Sequence, residues 1–259
     1  MKHKFSIVIP CFNAQETIVK CIESCTSQTF EDFDIIIVDD FSQDFSCDII
    51  DNFIKRSTLK QTVKLIKLSE NQGPSNARNV GIDASNSEYI ALLDADDYFY
   101  KNKLSLISDI LNDEPSIDLI GHDYSVNEYS LYENSYKISS VSLFGLLIKN
   151  FAVTPSIVFK RSLNTRFDKS FRFTEDHDFY LRVILDGYVI KYLNRPLVRL
   201  NRSLMSEGGL SSNKFKMRKG EFKMYFKFCT REVKYVPLLP VLFSFCLLKH
   251  LIKMAKHNH

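Results

Sequence analysis

The sequence lacks the paired cysteine motifs and the long apolar runs that mark zinc-binding, disulfide-rich and membrane-spanning proteins. Its 259 residues include six cysteines, but none of them forms a C-x-x-C pair. Cys21 and Cys25 lie four residues apart, on one face of a predicted helix. In a chain of this length, such spacing favours buried thiols in a reducing compartment and argues against a disulfide framework or a zinc site.

Long apolar runs are also missing. The run at 5–9 is too short for a signal peptide. The longest run, Tyr235 to Leu248, falls short of the about 20 residues that a spanning helix needs, and Pro237 and Pro240 interrupt its start. The sequence shows no internal repeat and no recognised nucleic-acid module. We therefore expect a cytoplasmic protein that does not bind nucleic acid.

The net charge is small, but the charged residues are unevenly distributed along the chain. The net charge is +3, yet residues 1–194 hold 20 basic and 28 acidic residues, a net of −8, while residues 195–259 hold 14 and 3, a net of +11. A basic tail on an acidic body favours an anionic partner such as phospholipid or a diphosphate. The alternative is a solvated basic surface with no partner.

Apolar runs alternate with helical spacing through the first half of the chain. The predicted strands are 5–9, 34–38, 62–68, 89–93 and 118–121, and the predicted helices are 14–28, 44–56, 74–84 and 103–112. This alternation predicts a doubly wound, mostly parallel α/β sheet, whose ligands bind beyond the carboxyl ends of the strands.

The second half of the chain is less regular. Its predicted elements are helices at 141–149, 176–185 and 214–231, a strand at 156–160 and a mobile loop at 203–213. The last helix interleaves basic and aromatic residues. We expect a smaller second region here, followed by a basic helical tail.

The most informative motif is Asp94-Ala95-Asp96-Asp97, directly after a predicted strand. Carboxylates at positions i and i+2 can both reach a hard divalent cation, since Mg²⁺ and Mn²⁺ prefer oxygen ligands and retain waters and substrate phosphates. The alternative is an acidic turn that precedes the next helix.

Two further motifs follow neighbouring elements. Asp39 and Asp40 end the second predicted strand and could accept hydrogen bonds from a base or ribose, although Asp44 can equally cap the next helix. Arg78 lies one turn into a helix that begins after a glycine-containing turn, where anions are favoured. Arg78 could meet a phosphate or a carboxylate there. The alternative is that Arg78 pairs with a structural aspartate.

A fourth motif, Thr174-Glu175-Asp176, opens a predicted helix in the second half of the chain. A carboxylate at this point could act as general base toward an acceptor hydroxyl. The alternative is that Thr174 or Asp176 caps the helix and that Glu175 lies favourably near its positive end.

In this order and spacing, the four motifs resemble glycosyltransferase family 2, which has the GT-A fold. The resemblance begins with Val8-Ile9-Pro10-Cys11-Phe12-Asn13 and covers roughly residues 4–200. It departs from the family at Phe41, where many members have glycine, and at 200–206, where many have a histidine. Arg202 or the loop at 208–212 could close over the donor instead.

The resemblance implies a role for each matching residue. The nucleotide would be bound by Pro10, Cys11, Phe12, Asn13, Asp39, Asp40, Arg78, Asp94 and Ala95. Asp40 would bind uracil, Asp96 would bind Mn²⁺ or Mg²⁺ with help from Asp94, and Asp176 would be the catalytic base. The mechanism would be a single in-line displacement with inversion at the anomeric carbon.

The family also implies a substrate class. We expect transfer of a hexose or N-acetylhexosamine from a UDP-sugar to a polyprenyl-diphosphate-linked sugar in O-antigen, capsule or exopolysaccharide synthesis. A β-galactosyltransferase acting on lipid-linked GlcNAc is one specific hypothesis. The alternatives are a nucleotide-sugar-binding scaffold without turnover and a nucleotidyltransferase, although the first loop lacks the glycine-rich, basic character typical of the latter.

The expected organisation is a catalytic domain at 1–205, with a nucleotide-sugar part at 1–123 and an acceptor part at 124–205, and a loop with a basic helical tail at 206–259. We expect this tail to dock on an anionic membrane surface, at the cytoplasmic face of the inner membrane. The alternative is a helical pair that packs on the catalytic domain or on a second subunit.

Overall fold

The first half of the fold is a parallel sheet with helical crossovers. The structure is a computed structural model that describes residues 3–56, 61–127, 135–201 and 214–255. Its first four strands are β1 (Phe5–Cys11), β2 (Phe33–Asp39), β3 (Val63–Lys67) and β4 (Tyr89–Leu92). They pair in parallel in the order β3-β2-β1-β4. The crossovers are α1 (Ile18–Thr26), α2 (Ser46–Arg56) and α3 (Pro74–Ala84), as the strand–helix alternation predicted.

The second half extends the same sheet with mixed pairing. Its strands are β5 (Tyr98–Phe99), β6 (Leu119–Ser125), β7 (Ile138–Ser140), β8 (Ile157–Lys160) and β9 (Ile190–Arg199). The order continues from β4 through β8, β6 and β9 to β5, and β7 pairs with β9. Among the described strand pairs of this half, β6–β9 is parallel and the others are antiparallel. The sequence pattern does not predict β5, β7 or β9.

Five helices and two short 3-10 helices complete the described residues. The α-helices are α4 (Lys103–Asp113), α5 (Leu143–Ile148), α6 (Glu175–Leu185), α7 (Lys214–Arg231) and α8 (Leu239–Ala255). The 3-10 helices are Thr154–Ser156 and Val233–Leu238. The predicted helices at 141–149, 176–185 and 214–231 are therefore confirmed within a few residues, whereas the predicted loop at 203–213 lies outside the described residues.

The sheet separates two apolar layers, because successive side chains of a strand point to opposite faces. On β1, Ile7 and Ile9 pack into one layer with α1, α2 and α4, while Val8 packs into the other with α3 and α5 to α8. Cys21 and Cys25 are fully buried in the first layer as free thiols, as predicted. Helices thus cover both faces, which confirms the doubly wound α/β architecture.

Helix α3 lies unusually close to the sheet. A Cβ atom at Gly81 would stand 2.3 Å from Cγ1 of Val8, far inside van der Waals contact. Only glycine permits this approach. The close packing fixes where α3 begins, and its start carries part of the candidate site.

The C-terminal helices pack on the body of the protein. Helix α7 buries Met224, Tyr225 and Phe228 in the second apolar layer, and α8 adds Leu242 and Cys246. This is the packing arrangement that the sequence left open as the alternative for the tail. Among the described residues, no helix is both long enough and apolar enough to cross a membrane.

Candidate active site

The loops after β1 and β2 are joined by hydrogen bonds at the carboxyl edge of the sheet. Asn13 and Phe41 both have positive φ, 49° and 65°, in the left-handed region that bulky residues rarely adopt. The backbone N–H of Asn13 donates to Ser42 Oγ at 2.9 Å, and Gln43 N–H donates to Asn13 Oδ1 at 2.8 Å. Phe41 therefore has the conformation that glycine favours, at the position where the resembled family often has glycine.

The two aspartates that end β2 both support neighbouring backbone. Asp39 Oδ2 accepts from Ser42 N–H at 2.9 Å. Asp40 accepts from the N–H groups of Gln72 and Gly73, at 2.9 and 2.7 Å. Because Gly73 immediately precedes α3 and has φ of 87°, the Asp40 carboxylate holds the turn that starts this helix. Both aspartates are buried.

The predicted nucleoside residues at the end of β1 differ in exposure. Cys11 is buried, and burial together with the charge of Asp39 raises the pKa of its thiol to about 12. Phe12 is 49% exposed and offers an aromatic face at the edge of the sheet. Asp44 accepts from Ser46 N–H at 2.9 Å at the start of α2, as its alternative capping role predicted.

Arg78 joins two of the predicted motifs. Its guanidinium is buried, with Nη2 2.8 Å from Asp94 Oδ1 and Nη1 3.3 Å from Glu175 Oε1. The guanidinium carbon also lies 5.6 Å from the centre of the Phe167 ring. The pairing with aspartate that the sequence offered as an alternative is therefore present, and it brings the segment after β4 beside the start of α6.

The segment after β4 concentrates negative charge. It turns through a hydrogen bond from Asp97 N–H to the Asp94 carbonyl at 3.0 Å, and Asp97 Oδ1 accepts from Asn201 N–H at 3.0 Å. Burial, together with the charges of Asp94 and Asp96, raises the pKa of Asp97 to about 8. Ala95 is buried between the two predicted metal ligands. A cation here would relieve the mutual repulsion of these carboxylates.

The donor set fits a cation that substrate helps to hold. Within the described ranges, no three or more His, Cys, Asp or Glu side chains converge into a protein cage for a metal. Asp94 and Asp96 instead supply hard oxygen donors from one turn. One of these oxygens, Oδ1 of Asp94, already accepts a hydrogen bond from Arg78. Such a partial set suits Mg²⁺ or Mn²⁺ completed by water and phosphate oxygens.

The start of α6 presents Glu175 and Asp176 in different settings. Thr174 precedes the helix with φ of 62°, and its hydroxyl donates to the Phe173 carbonyl, so it gives no side-chain cap. Asp176 Oδ2 accepts from Asn150 Nδ2 at 2.8 Å, and Oδ1 accepts from His177 N–H at 2.7 Å. Asp176 is partly exposed, so its carboxylate is accessible from solvent.

Glu175 is largely buried and faces Arg78. Burial raises the pKa of Glu175 to about 7 against the opposing charge of Arg78, with Asp176 adding to the rise. Neither Glu175 nor Asn150 is among the site residues that the sequence predicts. Glu175 lies inside a motif that had already been identified, whereas Asn150 stands 26 positions before its partner and carries no local signal.

A series of contacts connects the predicted residues. Asp40 holds Gly73 at the start of α3, Arg78 lies one turn further along α3, and Arg78 reaches both Asp94 and Glu175. Three strand ends and two helix starts are thus tied into one edge of the sheet. This edge is where open α/β sheets bind nucleotides.

Two solved structures share this architecture. One is S. aureus TarS 1–349 in complex with UDP-GlcNAc, with a TM-score of 0.72, 20% identity, and coverage of 96% of this chain and 72% of that one. The other is the mannosyltransferase PcManGT from Pyrobaculum calidifontis in complex with GDP-Man and Mn²⁺, with a TM-score of 0.67, 13% identity, and coverage of 99% and 76%. The fold is therefore that of GT-A glycosyltransferases.

The sequence comparisons give the family. The model of glycosyl transferase family 2 matches residues 6–183, and the chain belongs to that family. An uncharacterized glycosyltransferase of Haemophilus influenzae is 30% identical over 233 residues, which are 86% of this chain and 87% of that protein. The Escherichia coli protein WfaP, named a UDP-Glc:alpha-D-GlcNAc-diphosphoundecaprenol beta-1,3-glucosyltransferase, is 30% identical over 217 residues, which are 82% and 81% of the two chains. The expected family and fold are confirmed, and the family is one of glycosyltransferases.

Proposed function

We propose that this protein is an inverting glycosyltransferase that moves a hexose or N-acetylhexosamine from a UDP-sugar to a lipid-diphosphate-linked saccharide in surface-polysaccharide synthesis. The observation that carries the proposal is the pair of contacts made by Arg78. These contacts hold the Asp94 segment beside the Glu175–Asp176 segment. A donor bound at the first segment would therefore have its anomeric carbon near the second. The names of WfaP and of the TarS complex support a UDP-sugar donor and a lipid-linked acceptor.

The nucleoside would lie against the loops after β1 and β2. The exposed Phe12 ring would stack on the base, Pro10, Cys11 and Asn13 would line the pocket, and Asp40 would accept from uracil while Asp39 approaches the ribose. Asp40 already accepts two backbone N–H groups, which keeps its carboxylate in one orientation. Arg78 would influence the phosphates through Asp94, because its own guanidinium is engaged.

The metal ligands would be Asp96 and Asp94, with Mn²⁺ or Mg²⁺ as the ion. A bound cation would neutralise the diphosphate and so ease its departure. The Mn²⁺ in the PcManGT complex supports this assignment. Ala95 separates the two carboxylates, so that the backbone turn can direct both toward the donor.

The chemical step would be carried by Asp176. Its carboxylate would take the proton of the acceptor hydroxyl as that oxygen attacks the anomeric carbon, and the bond to the departing UDP would break on the opposite side. The partial exposure of Asp176 and its position at the mouth of α6 support this role. One displacement of this kind inverts the anomeric centre.

We also propose that the C-terminal helices hold the enzyme at the cytoplasmic face of the inner membrane. Although α7 and α8 pack on the body, six apolar side chains stay exposed at the end of the chain: Val233, Val236, Leu238, Val241, Leu247 and Leu248. Apolar groups beside a segment of net positive charge favour an anionic bilayer surface. This surface would bring the enzyme to a lipid-linked acceptor.

Activity is tested with purified protein, Mn²⁺, a panel of UDP-sugars and synthetic lipid-diphosphate-linked GlcNAc, with UDP release and product mass as readouts. We expect one donor to give an extended product and both Asp96→Ala and Asp176→Ala to be inactive. UDP-Glc and UDP-Gal are the first donors to compare, because WfaP is named for the former and a β-galactosyltransferase is our own hypothesis. Binding of UDP without turnover on any acceptor would favour the scaffold alternative.

Membrane docking is tested by co-sedimentation with vesicles that contain anionic lipid. We expect the double variant Val233→Asp/Val241→Asp to lose most of its binding, since it places charge among the exposed apolar side chains. The matched control is Val126→Asp/Val189→Asp, which makes the same change at exposed valines of the catalytic body. Equal binding by wild type and both variants would contradict the docking surface.

A further inference from the structure

Asn150 makes a contact that the proposed chemistry does not yet use. It lies just after α5, and its Nδ2 donates to Oδ2 of Asp176 at 2.8 Å. The other carboxylate oxygen of Asp176 accepts from the backbone N–H of His177 at 2.7 Å. Each oxygen of the carboxylate is therefore met by a donor from a different direction, and Asn150 supplies the only one of the two that a substitution can remove.

Residues on both sides of Asn150 contact α6 and α7. The Leu146 carbonyl accepts from Nε2 of His177 at 2.5 Å, and the Leu147 carbonyl accepts from the Tyr225 hydroxyl at 2.8 Å. On the other side, the Phe151 ring meets the Tyr180 ring edge-on at 4.8 Å. These contacts join α5 to α6 and α7, and they therefore fix the position of the backbone that carries Asn150.

The remaining polar atom of the Asn150 side chain points to a functional rather than a packing role. Its Oδ1 is buried and has no hydrogen-bond partner among the residues that the structure describes. A buried acceptor left unpaired is unfavourable and calls for an explanation. The amide also cannot be reversed, because Oδ1 would then face the carboxylate. Asn150 thus leaves its own oxygen unpaired while it donates to Asp176.

We propose that Asn150 is a positioning residue that fixes the orientation of the Asp176 carboxylate toward the acceptor hydroxyl. A carboxylate that rotates freely would meet that hydroxyl in fewer productive geometries. This inference rests on the proposed role of Asp176 as base.

The test compares Asn150→Ala and Asn150→Asp with wild type in the UDP-release assay. For Asn150→Ala we expect kcat to fall about 10- to 100-fold, since small misplacements of a reacting group cost up to about 100-fold, while KM for the donor stays within about twofold. Asn150→Asp, which keeps the shape but replaces the amide donor with a carboxylate, should lower kcat at least as much, with KM for the donor again within about twofold.

The matched control is Asn86→Ala, the same substitution at an exposed position of the loop between α3 and β4, at the opposite edge of the sheet. It should leave kcat as in wild type. If Asn150→Ala keeps the wild-type kcat, the inference is overturned. Losses of UDP binding and thermal stability that match the fall in kcat would also overturn it, since they mark a purely structural role. A wild-type protein that transfers no sugar would instead remove the proposed function itself.

Discussion

At the scale of single residues, Arg78 is the side chain on which most of the site depends. It is buried, it meets carboxylates from two segments that are 81 positions apart, and it packs beside the Phe167 ring. Breaking a buried ion pair by removing one partner leaves an uncompensated charge. Arg78 therefore contributes to stability and to site geometry at the same time.

We predict that Arg78→Met lowers the free energy of unfolding by about 3–5 kcal/mol, the usual cost of breaking a buried pair, and abolishes UDP release. Urea unfolding followed by circular dichroism measures the first effect. Lys67→Met is the control, since the Lys67–Asp51 pair is exposed and should contribute at most about 1 kcal/mol. Similar losses for both variants would show that the burial of Arg78 has no special importance.

Gly81 gives a second residue-scale prediction. Gly81→Ala places a methyl group 2.3 Å from Val8 Cγ1, so we expect a loss of about 1–3 kcal/mol in unfolding free energy through overpacking. The double variant Gly81→Ala/Val8→Ala should recover part of that loss beyond the sum of the single effects, because the two sites are in contact. Strict additivity in thermal denaturation would contradict the close approach of α3 to β1.

At the scale of elements, the contact between α7 and the body combines apolar packing with ion pairs. Lys227 Nζ lies 2.5 Å from Asp168 Oδ2, and Arg231 pairs with Asp186 at 2.8 Å. Although burial acts in the opposite direction, hydrogen bonds from Lys227 and Ser170 lower the pKa of Asp168 from 3.8 to about 2. The docking of this helix should therefore depend on pH.

The sign of that dependence follows from the lowered pKa. The ionised Asp168 stabilises the folded state above pH 4, and this contribution is lost as the pH falls through about 2. We predict that Asp168→Asn costs about 1 kcal/mol at neutral pH, a value reduced because the Lys227 side chain is partly exposed. The difference from wild type should vanish toward pH 2 in urea unfolding, whereas Asp109→Asn, at an exposed position of α4, should show none at either pH.

The sequence predicted some elements well and others not at all, for identifiable physical reasons. Strands β1, β2 and β4 are continuous apolar runs that end in polar residues, and a buried parallel strand has this pattern. Strand β9 was missed because Asn194, Arg195 and Pro196 interrupt its apolar residues, and its pairing with β6 contains register shifts. Tertiary contacts, rather than local pattern, hold that strand in the sheet.

The same division applies to the site. The motif positions can be predicted from the sequence, since each motif follows a strand or opens a helix. The contacts between them cannot be predicted in this way. Arg78 is 16 positions from Asp94 and 97 from Glu175, and Asn150 is 26 positions from Asp176. Such pairs depend on how the sheet and the helices assemble, which no local pattern records.

At the scale of the whole molecule, the C-terminal helices complete one of the two apolar layers. Met224, Tyr225 and Phe228 of α7 and Cys246 of α8 are buried with residues of α5 and α6. We predict that a chain ending at residue 213 is less soluble and melts at a lower temperature than the full chain, since its second layer would be open to water. A truncated protein with wild-type melting behaviour would show that the layer closes without these helices.

The hydroxyl of Tyr225 meets the backbone of α5 only three residues before Asn150. This single contact has a practical consequence for hybrid enzymes made by exchanging segments between relatives. A junction placed before α7 would not transplant an independent module, because it would pack a foreign helix against the helix that precedes Asn150. Hybrids should therefore exchange α5 together with α7 and α8, as one co-adapted unit.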